Sequence, residues 1–491
     1  MLNHVGLILV SRRTGHEETH VQYGEVYWAK HSSKYRNNNH PKQTLVQRRS
    51  VHVFYYTEEV KLTGINKYFL GVLGGLVCLT LNFSTPAFAQ EIILRHALDG
   101  KAQDALATLV LRFNDHIKGQ GRVILQDVRS LDNKRPLPLL ALLNADDSMN
   151  FFTARITFMP LHTLMRNYGQ PLNTSLFYPQ MLDAVADSTG QPQALPMGMS
   201  LPVLLINRGQ VPRAAKTIDL SPRTWLDVQN LAGTLSDNGV KCPLTSSRFA
   251  WVHLENTASQ HGEQMDIRTG RSEKVKANNL MNVKHLALLA SWQKSHYFTY
   301  FGPDAEANQR FLQGECAMIT GESALYVAAR ATGMDVTLAP LPYYDDAYGA
   351  QREKVLPDGA ALWVLPGQPK AAYALAARFV SYLLQPDVQR DWVRASGSLP
   401  MTPGALAALR ESGMPAALAD AAEQRLAASR ADSTRIHPGA LRDRLHLALD
   451  EQVALVWSTP RSAKQALDTA TLRANSPSSG GSKTKAARRR K

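Results

Sequence analysis

Glu91-Ile92-Ile93-Leu94-Arg95-His96, then segment 101–117, then Val123-Ile124-Leu125-Gln126-Asp127-Val128 decide the fold class. The first and last are short apolar runs of strand length. Between them Ala105, Leu106, Leu109, Val110 and Phe113 recur at helical spacing, so 101–117 reads as an amphipathic helix. Strand, helix and strand with short links form a right-handed βαβ unit, which predicts a parallel sheet covered by helices.

The same grammar recurs downstream. Pro202-Val203-Leu204-Leu205-Ile206-Asn207 reads as a strand. Thr224, with Pro222 just ahead, is an N-cap that opens a helix over 225–236, and Asp237-Asn238-Gly239 stops it. Further helices are expected over 305–313, ending at Gly314, and over 371–384, ending before Pro386. Others follow over 386–395, ending at Gly397, over 441–458, and in the alanine-rich stretch 403–430. There is no internal repeat and no P-loop, GxGxxG, GxSxG or HExxH pattern, so no cofactor is expected. The fold class is α/β.

Upstream lies a different signal. Lys67 precedes the apolar run Tyr68-Phe69-Leu70-Gly71-Val72-Leu73-Gly74-Gly75-Leu76-Val77-Cys78-Leu79-Thr80-Leu81, which leads to Ala87-Phe88-Ala89. A cationic flank, a short apolar run and a small-x-small site are the parts of a secretory signal peptide, here 60–89, cleaved after Ala89. The run is short of the roughly 20 residues a bilayer core requires. A cleaved leader addresses the protein outside the cytoplasm, to the periplasm. Residues 1–59 read as an extension, non-native if translation starts near Val60 or Leu62, or else as a disordered arm ahead of an anchor.

The formal net charge of +14 suggests nucleic acid, but its distribution does not. Residues 1–89 hold ten Lys/Arg against five Asp/Glu, leaving 45 against 36 from Gln90 onward. Six of those cations are Lys483, Lys485, Arg488, Arg489, Arg490 and Lys491, in a Ser/Gly-rich tail, 476–491, that lacks the apolar surface to fold. No nucleic-acid partner is expected. The roughly 400 residues after the leader exceed what one core serves and suit two domains. Cys242 and Cys316 remain after the leader, either bridged in an oxidising compartment or as two buried thiols. Both stand just ahead of predicted strands.

Four stretches together resemble the extracellular solute-binding proteins of ABC importers. They are Pro222-Arg223-Thr224-Trp225-Leu226-Asp227, Phe311-Leu312-Gln313-Gly314-Glu315-Cys316-Ala317-Met318, the set from Phe379 through Leu383, Pro386, Gln389 and Trp392 to Gly397-Ser398-Leu399-Pro400, and Ala466-Leu467-Asp468-Thr469-Ala470. Trp251-Val252-His253-Leu254-Glu255-Asn256 with Gly262, Gly239-Val240-Lys241-Cys242, Asp358-Gly359-Ala360-Ala361-Leu362-Trp363 and Leu449-Asp450-Glu451 look like the subfamily that binds sn-glycerol-3-phosphate. The resemblance implies a bilobal periplasmic-binding-protein fold of two parallel-sheet lobes, 90–199 plus 340–400 and 200–339 plus 401–475. Crossing segments are expected near 197–203, 338–343 and 399–403. It implies capture of a phosphorylated or polyol solute by hinge closure and delivery by a monomer to a permease with its ATPase, without catalysis. A sugar or oligosaccharide binder of the same fold, a receptor docking on a membrane sensor and a periplasmic hydrolase are the alternatives, the last without a visible nucleophile–base pair.

The resemblance also implies ligand-binding positions. Trp251 matches an aromatic platform, and the alternative is a core tryptophan. Arg248 stands where the subfamily has a second tryptophan, as a bidentate phosphate contact or a surface charge. Ser200 matches a binding serine on the first crossing segment, or a plain hinge turn. Gly359 matches a close approach of ligand to backbone, or a bulge. Ser323, or Glu322 with a slip of one residue, falls on a ligand-facing turn ahead of a helix at Ala324. Ser398 replaces the subfamily's tyrosine, and Arg435 or His437 stands near its phosphate-binding arginine. The tyrosine after the second strand falls at Leu131 or Asp132, and the acid of the next loop near Thr153. His253, Glu255 and His261 are read as structural residues, not metal ligands, and Asp146-Asp147 as a solvated loop.

Overall fold

The computed structural model describes residues 7–10, 22–25, 90–98, 100–128, 138–144, 158–212, 220–269, 272–347, 349–352, 354–427 and 435–476. The expectations for the leader, the basic tail beyond Ser476, Leu131, Asp132, Asp146, Asp147 and Thr153 lie outside these residues. The chain divides into Met1–Ala87 and Phe88–Lys491. In the first unit, Leu7–Val10 pairs antiparallel with Gln22–Glu25.

The second unit is built on two five-stranded sheets. The chain first lays down β1 (Glu91–His96), β2 (Arg122–Asp127), β3 (Leu140–Leu143) and β4 (Leu195–Ser200). It then crosses to lay down β5 (Pro202–Asn207), β6 (Leu244–Ser246), β7 (Phe298–Thr299), β8 (Met318–Glu322) and β9 (Val336–Pro340), and returns for β10 (Asp358–Val364). The first sheet has the order β2-β1-β3-β10-β4 and the second β7-β6-β8-β5-β9.

The opening βαβ unit forms as its pattern dictates. β1 and β2 pair in parallel with Ile92 opposite Val123, and helix Gly100–Ile117 buries Leu106, Leu109, Val110, Phe113 and Ile117 against them. The sheets are mixed, however, not parallel throughout. β10 runs antiparallel to β3 and β4, and β5 runs antiparallel to β8 and β9. Only Leu201 separates β4 from β5, so the chain passes from one sheet directly into the other. β5 is buried along all six residues, as a central strand covered on both faces must be.

The expected helix after Thr224 forms as Trp225–Asp237 with a full capping box: Thr224 accepts from the Asp227 N–H, and Asp227 accepts from the Thr224 N–H. The alanine-rich stretch is two helices, Pro403–Glu411 and Ala416–Leu426, broken at Gly413 and Pro415. Both were expected with the second half. Leu409 instead joins the core of the first sheet, and Leu406, Leu418 and Leu426 join a third apolar cluster. That third cluster contains Met199 and Ala361 from the first sheet with Val203, Leu205 and Ile319 from the second, so it spans the crossing.

Cys242 and Cys316 are joined, with Cα atoms 4.6 Å apart. Each lies two residues ahead of its strand, and Leu244 is in register with Met318, so the strand pairing delivers the cysteines to each other.

Candidate functional site

The residues singled out from the sequence gather where the chain crosses between the sheets. Ser200, the last residue of β4, is in register with Asp358, the first of β10. Next to Asp358, Gly359 has φ +149, and a Cβ there would stand 2.1 Å from the Gly198 carbonyl oxygen. The close approach of the neighbouring strand therefore requires a glycine here, in regular register with Met199; the ladder shifts register only beyond it, between Ala360 and Leu362.

Arg248 and Trp251 approach from the second half. Arg248 adopts φ +48, an uncommon conformation for a residue with a side chain. Its N–H donates to the Asp304 carbonyl at 2.6 Å and its guanidinium donates to Asp358 Oδ2 at 2.7 Å. The same guanidinium lies 4.5 Å above the Trp251 ring. A π-helical turn, Ala250–Glu255, follows directly, an irregularity common at functional positions. Trp251 is 1% exposed and donates its indole N–H to the Leu356 carbonyl at 2.8 Å. As arranged here it is a core tryptophan capped by an arginine, and it offers no open face to a polyol.

Two groups that sequence reasoning did not select, Arg442 and His446, complete the cluster together with the predicted Arg435. Arg442, on helix Ala440–Ser458, makes two bonds to Glu255, at 3.1 and 2.9 Å, and a third to Asp358 Oδ2 at 3.1 Å. His446, one turn on, meets Glu255 Oε1 at 2.5 Å. Arg435 donates to the Pro357 carbonyl and lies 3.6 Å from Asp183. The Arg435 side chain is fully buried and that of Arg248 is 14% exposed, the most open of the ion-paired group.

Electrostatics follow from that packing. Burial drives the Glu255 carboxyl up, but Arg442 and His446 outweigh it and bring its pKa down to about 2. Burial also opposes the Asp358 charge, and Arg442, Arg248 and Arg435 overcome it, so Asp358 sits well below the usual carboxylate range. Burial disfavours a charged His446, yet Glu255 raises its pKa overall. Three arginines and one histidine thus face three carboxylates in a largely buried region whose most open member is Arg248.

The remaining predicted residues lie on the same crossing but face inward. Ser323 accepts from the Leu201 N–H at 3.0 Å, and its own N–H donates to the Leu201 carbonyl at 2.9 Å. It ties the crossing segment down instead of facing an open turn. Ser398 lies 2.7 Å, hydroxyl to hydroxyl, from Ser396, while Leu399 N–H donates to Met199. Ser398 also lines a cavity of about 170 Å³ with Val327, Arg394, Met414 and Leu418. His437 bonds the Ala186 carbonyl at 2.9 Å.

His253 belongs to a separate buried chain. Its Nδ1 lies 2.8 Å from His285 Nε2, its Nε2 lies 2.9 Å from Thr320 Oγ1, and His285 Nδ1 lies 2.8 Å from the Tyr344 hydroxyl. Burial depresses both imidazoles, His253 to about 3, so the pair is neutral. His261 is held separately by Thr257 and Tyr344. Among the described residues no group of three or more His, Cys, Asp or Glu is arranged to hold a metal ion.

Comparison with known proteins places these observations. The profile of the bacterial extracellular solute-binding protein family matches residues 129–422. The sn-glycerol-3-phosphate-binding periplasmic protein of Escherichia coli K12 is 29% identical over 326 residues, covering 64% of this chain and 74% of that protein. Its Yersinia pestis bv. Antiqua counterpart is 25% identical over 423 residues, covering 81% and 94%. Among solved structures, the cyclic alpha-maltosyl-1,6-maltose binding protein of Arthrobacter globiformis superposes with a TM-score of 0.59 at 19% identity, covering 78% of this chain and 98% of that one. Maltose-bound T. maritima MalE3 gives 0.60 at 15% identity, covering 79% and 99%. At these identities the structural likeness carries the fold alone.

Proposed function

The chain belongs to the bacterial extracellular solute-binding proteins, and from that premise we propose that it captures a small anionic, hydroxyl-bearing solute in the periplasm for an ABC permease. The solute class is glycerol-3-phosphate or a glycerophosphodiester. The observation that carries this reading is the convergence of Arg248, Arg435 and Arg442 at the crossing between the sheets. Guanidinium groups present planar forks of donors that match phosphate oxygens, and burial strengthens each such bond. The relatives named for sn-glycerol-3-phosphate support the same class.

The mechanism requires no bond to be made or broken. Arg248 and Arg442 belong to the second half, while Ser200 and Asp358 stand on the first sheet. A solute touching both halves favours the arrangement in which they meet, and only its differential affinity shifts that equilibrium. The permease then reads the liganded arrangement, with the binding protein acting as a monomer. A thermal-shift screen against sn-glycerol-3-phosphate, glycerophosphodiesters and maltose-type sugars tests the class. A rise in melting temperature with the phosphorylated compounds alone is expected; a rise with sugars alone refutes it.

A further inference from the structure

Asp358 occupies the position at which an anionic solute would meet the arginines, and this inference rests on the reading just given. Two guanidinium groups, from Arg248 and Arg442, converge on one carboxylate oxygen, Asp358 Oδ2, at 2.7 and 3.1 Å. Arg442 also holds Glu255 through two bonds, so Asp358 is the anion that the two arginines share and Glu255 the one that Arg442 keeps. A tetrahedral anion brings more acceptor oxygens. Arg248 is the partner of Asp358 that reaches solvent, its side chain 14% exposed against 6% for Arg442, so an anion arriving from water meets it first. Arg248 is also built for a fixed position: φ is +48, its N–H is anchored to Asp304, and its guanidinium is spread over Trp251. A backbone held in a sparsely populated region persists only where its surroundings enforce it, and such positions concentrate at ligand clamps.

We propose that Asp358 is an internal competitor for the solute: its carboxylate neutralises Arg248 and Arg442 in the empty protein, and an anion binds by displacing it. The exchange replaces one anion by another at Arg248 and Arg442, while Glu255 stays paired with Arg442. Affinity is thereby set low, because every arriving anion must compete with Asp358. A neutral polyol gains nothing from the exchange, because it cannot replace the lost charge.

Titration calorimetry on the full chain tests this, with inorganic phosphate and sn-glycerol-3-phosphate as probes. The variants are Asp358→Asn and, should that one fail to fold by thermal melt, Asp358→Ser, which keeps a hydroxyl acceptor without the charge. A folded variant is expected to bind sn-glycerol-3-phosphate at least tenfold more tightly than the unmutated chain, about 1.4 kcal/mol. Unmutated protein that binds, with variants that bind equally or more weakly, overturns the competitor role alone and makes Asp358 a positioning residue. No binding of either probe by the unmutated chain or any folded variant overturns the anionic-solute reading as well.

Discussion

Replacing Arg442 with methionine tests whether the junction is held by charge. Methionine keeps an unbranched apolar stem of similar reach, so the change removes the guanidinium with little loss of packing. The guanidinium serves two carboxylates, Glu255 at 3.1 and 2.9 Å and Asp358 at 3.1 Å, all nine-tenths buried or more. Its removal leaves two buried anions short of their principal partner, for which about 3–5 kcal/mol of lost stability is expected. The pH dependence gives a second measure. The Glu255 pKa falls from 4.5 to about 2 on folding, equivalent to about 3 kcal/mol at 1.36 kcal/mol per unit. A depressed folded pKa contributes stability that is present above about 4.5 and lost as pH falls toward 2. Denaturant unfolding of both proteins at pH 7 and again near pH 2 should therefore show a wide gap that narrows in acid. A loss under about 1 kcal/mol at pH 7, or a gap that does not narrow, refutes the buried-charge account.

Three further outcomes are expected. Replacing Cys242 and Cys316 together with serine opens a link of sequence separation 74, and chain-entropy reasoning gives about 4 kcal/mol of destabilisation, readable by scanning calorimetry. His253 has a folded pKa depressed from 6.5 to about 3, so its neutral form contributes stability above pH 6.5 that is lost as pH falls toward 3. His253→Phe should flatten that part of the stability–pH curve, while costing about 1–3 kcal/mol at neutral pH through the partner that His285 Nε2 loses. Trp251→Ala should lower stability by about 3–5 kcal/mol in denaturant titration, because the ring is 1% exposed. A stable variant with weakened solute binding would return Trp251 to the role of a ligand platform.

Sequence alone settled what depends on neighbours along the chain. The 3.6-residue period of 101–117 gives a helix with its apolar face set by Leu106, Leu109 and Phe113, whatever lies opposite. Thr224 and Asp227 are three residues apart, and that spacing closes the capping box without tertiary help. Pro386 and Gly397 bound their helix through their own backbone preferences. Family resemblance added the two-sheet architecture. Tertiary structure alone decided which side chains meet. Arg442 and Glu255 are 187 positions apart, and Arg248 and Asp358 are 110 apart, so no local period links them. Strand direction was likewise hidden, because a continuous buried run such as Pro202–Asn207 reads the same whichever way it enters its sheet. Packing also assigned the roles. The indole of Trp251 and the fork of Arg248 have identical chemistry in a groove or in a core, and only the atoms placed around them distinguish a solute contact from an internal bond.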